Sequence, residues 1–118
     1  MNSEDIKLSF VIPVYNCEKI IGKCLKSILQ QAEKAECQYE IVLVDDGSSD
    51  NSVKAIQSLI QGRDNCLLCQ QKNAGAGVAR NTALQYVTGD YLIFIDADDY
   101  VPDQYFDVVL SELKKILK

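Results

Sequence analysis

The chain has 118 residues, room for one domain, and its 47% apolar and 25% charged residues are ordinary for a water-soluble globular protein. A formal net charge of −5 argues against a nucleic-acid backbone or an anionic membrane as the main partner. It also means that an anionic ligand needs a cation or local donors to be held. Met1-Asn2-Ser3-Glu4-Asp5 carries neither the basic nor the apolar region of a secretion signal, and apolar runs of about five residues fall far short of the roughly 18 that a membrane span needs. A soluble, cytoplasmic protein is expected, one that in a longer parent can still sit peripherally at the inner face of a membrane.

Strand and helix signals alternate along the chain. Lys7 to Val14 carries Leu8, Phe10, Val11, Ile12 and Val14 and reads as a strand ending at Tyr15-Asn16. Ile20, Ile21, Cys24, Leu25, Ile28 and Leu29 then repeat at helical spacing, with Lys19, Lys23, Lys26 and Gln30 on the opposite side. Tyr39 to Val44 is a second strand, and its unbroken run Ile41 to Val44 suits a strand covered on both faces. Gly47 to Ser52 reads as a turn with helix-capping residues, Asp50 or Ser49 being the expected cap of a helix that runs through Val53, Ile56, Leu59 and Ile60 to about Gly62. Cys66 to Gln70 is a weaker strand, Ala74 to Val87 a helix with glycines at its start, and Tyr91 to Ile95 a fourth strand. Pro102-Asp103 is expected to open a last helix with the stripe Phe106, Val109, Leu110, Leu113, Ile116 and Leu117.

This order predicts an α/β fold: an open, mainly parallel sheet of about four strands with helices on both faces. Ligands of such sheets bind outside the carboxyl ends of the strands. Tyr15-Asn16, Asp45-Asp46, Asn73 and Asp96 to Asp99 all follow strand ends, so they are expected to converge on one rim.

The five cysteines, Cys17, Cys24, Cys37, Cys66 and Cys69, are an odd number without a secretion signal, which favours reduced thiols. Cys66 and Cys69 have the spacing of half a zinc site. With no histidine in the chain and no second such pair, packing is the expected role of both.

Asp96-Ala97-Asp98-Asp99 puts three carboxylates directly after an apolar strand, a set of hard oxygen donors suited to Mg²⁺ or Mn²⁺ with phosphate oxygens as further ligands. Asp45 and Asp46 end another apolar strand and can accept hydrogen bonds from a base or a ribose, while Gly47 allows close approach of backbone. Tyr15, beside Pro13 and Asn16, presents a ring able to stack on a planar base or to pack on a neighbouring loop. Asn73 to Asn81 places glycines and Arg80 at a helix start, where N–H groups and the helix dipole favour an anion; Arg80 solvated or paired to an acid is the alternative.

Together these stretches resemble the nucleotide-binding half of the family 2 glycosyltransferases of the GT-A fold. Phe10 to Asn16, Glu40 to Asp50, Asn73 to Asn81 and Gly89 to Asp99 occur in that family's order and spacing, and the likeness spans nearly the whole chain. The resemblance implies a nucleotide-sugar donor, most often a UDP-sugar, with Mn²⁺ or Mg²⁺. By similarity Pro13 and Tyr15 lie at the base, Asp46 accepts from the base imide, Arg80 lies near the base or diphosphate, Asp96 approaches the ribose and Asp98 reaches the metal. Asn16, Asp45 and Asp99 are possible additional contacts. The implied chemistry is displacement at the anomeric carbon, usually with inversion, onto a carbohydrate or lipid-linked acceptor. Family members run well beyond this point and take their catalytic base from the later part. Residues 1–118 are therefore expected to be the nucleotide-sugar-binding part alone, with the base beyond Lys118, little or no transferase activity, and an exposed sheet edge that favours dimerisation.

Two rivals remain at this level. A non-catalytic nucleotide-binding or assembly module on the same fold lacks only the base. A receiver-type signalling domain has similar length, but its acidic pair ends the first strand, whereas Asp45-Asp46 ends the second.

Overall fold

The computed structural model describes residues 5–35 and 37–116. Its elements, in order, are β1 (Lys7–Val14), α1 (Ile21–Ala32), β2 (Gln38–Asp45), α2 (Ser52–Ile60), β3 (Cys66–Gln70), α3 (Ala76–Leu84), β4 (Tyr91–Phe94) and α4 (Tyr105–Ile116). Each strand and helix expected from the sequence is present. Three ends differ. α3 begins at Ala76 rather than Ala74, because the Ala74 and Gly75 N–H groups donate to Asp46 instead of entering a helical turn. α2 has Asn51 at its N-cap with no side-chain bond, and Asp50 serves from one residue earlier by accepting from the Ser52 N–H at 2.9 Å. α4 starts at Tyr105, after Gln104 in a left-handed conformation, not at Pro102-Asp103. Of its expected stripe, Phe106 and Leu110 are buried, Ile116 is exposed, and Leu117 lies outside the described residues.

All four strands are parallel, in the order β3-β2-β1-β4. Phe10 of β1 stands between Ile41 of β2 and Ile93 of β4. The chain steps outward twice on one side of β1, then returns across the sheet to place β4 on the other side. Right-handed crossovers require the helices of those two journeys to lie on opposite faces. They do. Leu8, Phe10, Ile12 and Val14 meet Ile21, Leu25 and Ile28 of α1, Ile56 of α2, and Phe106 and Leu110 of α4 in the main core. The Phe10 and Phe106 rings are 5.3 Å apart. On the other face Val11, Val42 and Val44 meet Ala79 and Ala83 of α3. The receiver-type alternative fails here, since that fold orders its strands 2-1-3-4-5.

Cys66 packs into the main core and Cys69 into the smaller one, so the pair faces opposite sides of the sheet and cannot chelate one ion. Burial pushes every thiol upward, Cys24 to about 12, which keeps them protonated.

α3 covers only the middle of its face. Leu92 and Phe94, on the same side of β4, remain 41% and 50% exposed, and β4 has no outer strand partner among the described residues. The exposed apolar sheet edge expected from the sequence is therefore present.

A polar lock closes the amino end of the sheet. Ser9, wholly buried, donates to Glu40 Oε2 at 2.6 Å and accepts from the Gly89 N–H at 2.9 Å. Glu40 also accepts from the Thr88 hydroxyl and lies 3.4 Å from Lys7 Nζ. Burial works against its charge, yet the bonds from Ser9 and Thr88 and the nearby Lys7 hold its carboxyl below the usual range. Gly89 is required by space: a Cβ there would collide with Ser9 Oγ and come within 2.9 Å of the Lys7 carbonyl. Gly89→Ala is expected to cost about 1–3 kcal/mol through overpacking, read as a lower urea midpoint with an unchanged slope.

Candidate active site

β1 and β4 are neighbours in space, but their chain connections leave in opposite directions. This is a topological switch point, where parallel sheets open a crevice at their carboxyl ends. A cavity of about 290 Å³ occupies it. Its walls include Pro13 near the end of β1, Tyr15 and Asn16 after it, Asp46 after β2, and Asp96 and Asp98 after β4. Of the strand-end residues expected to converge, Tyr15, Asn16, Asp46, Asp96 and Asp98 line it, whereas Asp45, Asn73 and Asp99 do not; Asn73 donates through Nδ2 to the Asp46 carbonyl at 3.1 Å.

The loop after β1 is held by the loop after β2. Asn16, in a left-handed conformation, accepts through Oδ1 from the Ser49 N–H at 2.8 Å, and its own N–H donates to Ser48 Oγ at 2.9 Å. The Cys17 N–H donates to Ser52 Oγ at 2.8 Å, and the Glu18 N–H to Asp50 Oδ2 at 3.2 Å. Bonds from Ser52 hold the Asp50 carboxyl below its ordinary range. These side chains position Tyr15, whose ring stands 54% exposed over the cavity. Asn16 Oδ1 is engaged in this clamp.

Asp45 and Asp46, adjacent in sequence, differ completely in setting. Asp45 is buried at 3% exposure; its Oδ2 accepts from the Ser48 N–H at 3.1 Å, and its Oδ1 has no hydrogen-bond partner. It does not line the cavity. Asp46 does, although it is only 4% exposed. Its Oδ1 accepts from Gln71 Nε2 at 3.0 Å and the Ala74 N–H at 2.7 Å, and its Oδ2 from the Gly75 N–H at 2.9 Å. The bond from Gln71, then that from Ala74, depresses its carboxyl below the usual value. A carboxylate has about four acceptor positions, so one remains on Oδ2. Gly47 lies beside this knot with a positive φ of 78°, where a Cβ would come within 2.9 Å of the Asn73 nitrogen.

Asp96, Asp98 and Asp99 turn tightly after β4, the Asp99 N–H donating to the Asp96 carbonyl at 2.9 Å. One carboxylate oxygen from each lies within 4.8 Å of the others. Three exposed carboxylates so close repel one another, and three hard oxygen donors fit a divalent cation that keeps water or phosphate oxygens as its remaining ligands. Arg80 of α3 reaches the same turn, its Nη2 3.3 Å from Asp96 Oδ1. The acid-paired alternative for Arg80 is the one observed.

Gln71 was not among the residues expected at the site, yet it carries Asp46 and is itself oriented by the Thr82 hydroxyl, which donates to its Oε1 at 2.6 Å. Gln71 directly follows β3, so the strand-end rule pointed to its position. Cys17, Ile20, Ala76 and Ala97 also line the cavity and carried no signal beyond adjacency to the motifs.

A depressed carboxyl contributes stability in full above its ordinary value, and loses it as pH falls through the folded value. Asp46→Asn keeps the shape but turns donor against donor. At pH 7 the variant is expected to lose roughly 1–3 kcal/mol in urea unfolding. The gap to the unsubstituted protein should narrow as pH falls below about 4. A gap independent of pH would contradict this role of the carboxylate.

The chain's relationships agree with this geometry. Residues 9–117 match the model of glycosyl transferase family 2. Glycosyltransferase GlyA of Streptococcus pneumoniae is 37% identical over 92% of this chain, a region that makes up 15% of that relative's own length. The structure of TarS from Staphylococcus aureus in complex with UDP-GlcNAc aligns with a TM-score of 0.80 at 29% identity, over 93% of this chain and 32% of the other. A mannosyltransferase from Pyrobaculum calidifontis, solved with GDP-Man and Mn²⁺, aligns at 0.79 and 27% identity over 97% of this chain and 33% of its own. The chain thus spans well under half the length of these relatives. With its four-stranded parallel Rossmann-like sheet of the GT-A type and an acidic turn at the switch point, the chain belongs to glycosyl transferase family 2.

Proposed function

We propose that this chain is the donor-binding part of a glycosyltransferase that takes a nucleotide-sugar, a UDP-sugar in the first instance, together with Mn²⁺ or Mg²⁺. The observation that carries this reading is the crevice between β1 and β4, with an exposed aromatic ring on one wall and three clustered carboxylates on the other. UDP-GlcNAc in one structural neighbour, and GDP-Man with Mn²⁺ in another, support the ligand class.

In this reading Pro13 and Tyr15 bound the base, Tyr15 stacking on it. The remaining Oδ2 position of Asp46 accepts from the base imide N–H, and the knot with Gln71, Ala74 and Gly75 keeps that carboxylate ionised and oriented. Asp96 faces the ribose, fixed by Arg80, whose charge also favours the diphosphate. Asp98 holds the cation, with Asp99 beside it. The cation supplies charge neutralisation of the departing diphosphate.

The reaction is displacement at the anomeric carbon. The acceptor oxygen forms the new bond, the bond to the diphosphate oxygen breaks, and the acceptor's proton passes to a base. Attack from the face opposite the diphosphate inverts the anomeric centre. We place that base, and most of the acceptor site, in residues beyond Lys118, and expect the 118-residue chain to bind donor without transferring sugar. We assign self-association to the β4 edge with Leu92 and Phe94. In sedimentation velocity, Phe94→Lys should shift the chain toward monomer.

Calorimetry tests the donor reading. Mn²⁺ is expected to raise UDP affinity by about tenfold or more, leave uridine unaffected, and lose its effect on UDP in Asp98→Ala. Equal UDP affinity with and without metal in both proteins would sink the metal assignment.

A further inference from the structure

The second large concavity lies outside the crevice, on the outer side of α1. It is a groove of about 860 Å³ between α1 and the loop that joins β4 to α4. Lys19, Lys23, Lys26 and Lys34 line it, and Asp103 is the acid among its lining residues. All four lysines are exposed, and none has a carboxylate within ion-pair distance among the described residues. Four of the twelve basic residues of an acidic chain are thus gathered along one concave wall.

The opposite wall is built. Gln31 donates through Nε2 to the Val101 carbonyl at 3.2 Å and accepts through Oε1 from the Tyr105 N–H at 2.9 Å. The Ser27 hydroxyl accepts from the Val101 N–H at 3.0 Å. Lys23 Nζ stands 4.1 Å from the centre of the Tyr100 ring. Tyr100 directly follows Asp98-Asp99, so the groove opens beside the acidic turn. The row follows α1 from Lys23 and continues to Lys34 just past its end, away from the carboxyl end of the sheet; from Lys23 to Ala32 the helix rises about 14 Å.

We propose that this groove holds a linear polyanion, an acceptor chain bearing repeated phosphate or carboxylate groups, whose end is thereby led to the donor crevice. The acceptor role rests on the donor-binding reading above; the polyanion site does not. A slender chain in the groove meets lysines at successive positions. A flat anionic bilayer or a nucleic-acid duplex instead meets the remainder of the chain, which is more acidic than its net −5, within a Debye length of about 8 Å.

The test is fluorescence anisotropy of end-labelled inorganic polyphosphate of about 25 units with the 118-residue chain, as a function of salt. Binding is expected at low salt, weakening with a log–log slope of about −3 for four lysines against a flexible single-stranded polyanion. Lys23→Glu with Lys26→Glu should lower affinity by at least about thirtyfold. The same charge change at Lys54 and Lys114 should lower it much less. Circular dichroism melts of both variants confirm folding. Equal losses in the two double variants, or no binding at low salt, overturn the proposal. So does co-sedimentation with phosphatidylglycerol vesicles that polyphosphate does not compete away, which would mark a membrane surface. A UDP titration of the same samples separates the two readings. UDP binding without polyphosphate binding removes the groove alone. Polyphosphate binding without UDP binding removes the donor reading and leaves the groove as a polyanion site.

Discussion

The placement of β4 beside β1, rather than beside β3, is the constraint on which the rest of this molecule depends. Had the chain continued outward from β3, no two neighbouring strands would send their connections apart, and the carboxyl rim would be bridged throughout. Returning to the far side of β1 forces α3 onto the opposite face and leaves the β1 and β4 ends open to each other. The polar lock at the amino end secures that placement. Ser9, Glu40, Thr88 and Gly89 join β1, β2 and the entry to β4 through hydrogen bonds, which fix the β4 register far from the site. At the carboxyl end the hydrogen bonds instead join neighbouring loops, and leave Tyr15, Asp98 and Asp99 exposed.

At that open end, five aspartates share one rim without sharing one role. Asp45 is buried and belongs to the loop after β2. Asp46 is saturated on Oδ1 and keeps one open position on Oδ2, so most of its capacity goes to holding the 71–75 segment in place. Asp96 is tied to Arg80. Asp98 and Asp99 have no cation within ion-pair distance among the described residues. The unbalanced charge of the acidic turn therefore concentrates at Asp98 and Asp99, where the proposed divalent cation would offset the mutual repulsion. Charge is not simply abundant here; hydrogen bonds have removed most of it from competition.

The architecture was legible because β1, β2 and β4 are apolar runs and α1, α2 and α4 carry clear stripes; β3 and α3 are weaker, but their place in the alternation points to the same layered fold. The rim residues followed from the strand ends. What the sequence could not display were the partners of those residues. Asn16 reads as a candidate ligand contact until its Oδ1 is seen to hold the Ser49 N–H. Arg80 reads equally as anion site or acid partner until Asp96 is found 3.3 Å away. Gln71 carried no motif at all. Such roles are set by contacts between residues 16 to 33 positions apart, and neither periodicity nor local spacing encodes which side chain meets which backbone group. Helix ends were misplaced for the same reason: Ala74 and Gly75 look helical until Asp46 claims their N–H groups.

The two faces of α1 show how one short helix can serve both the fold and the rim. Its inner side, from Ile21 to Leu29, supplies much of the main core. Cys24, on that side, approaches the Asp96 carbonyl at 3.8 Å, placing the first half of the helix directly beneath the acidic turn. Burial first, then the nearby Cys17, Asp99, Asp98 and Asp96, together raise the Cys24 thiol to about 12, so it stays neutral and adds no charge to the turn. The outer side carries the lysines. The turn thus rests on a neutral apolar floor, while cations flank it at Arg80 on one side and Lys23 on the other. The same helix thus supplies apolar packing beneath the turn and positive charge beside it, and in this acidic chain the flanks at Arg80 and Lys23 are where the potential around the turn is least negative.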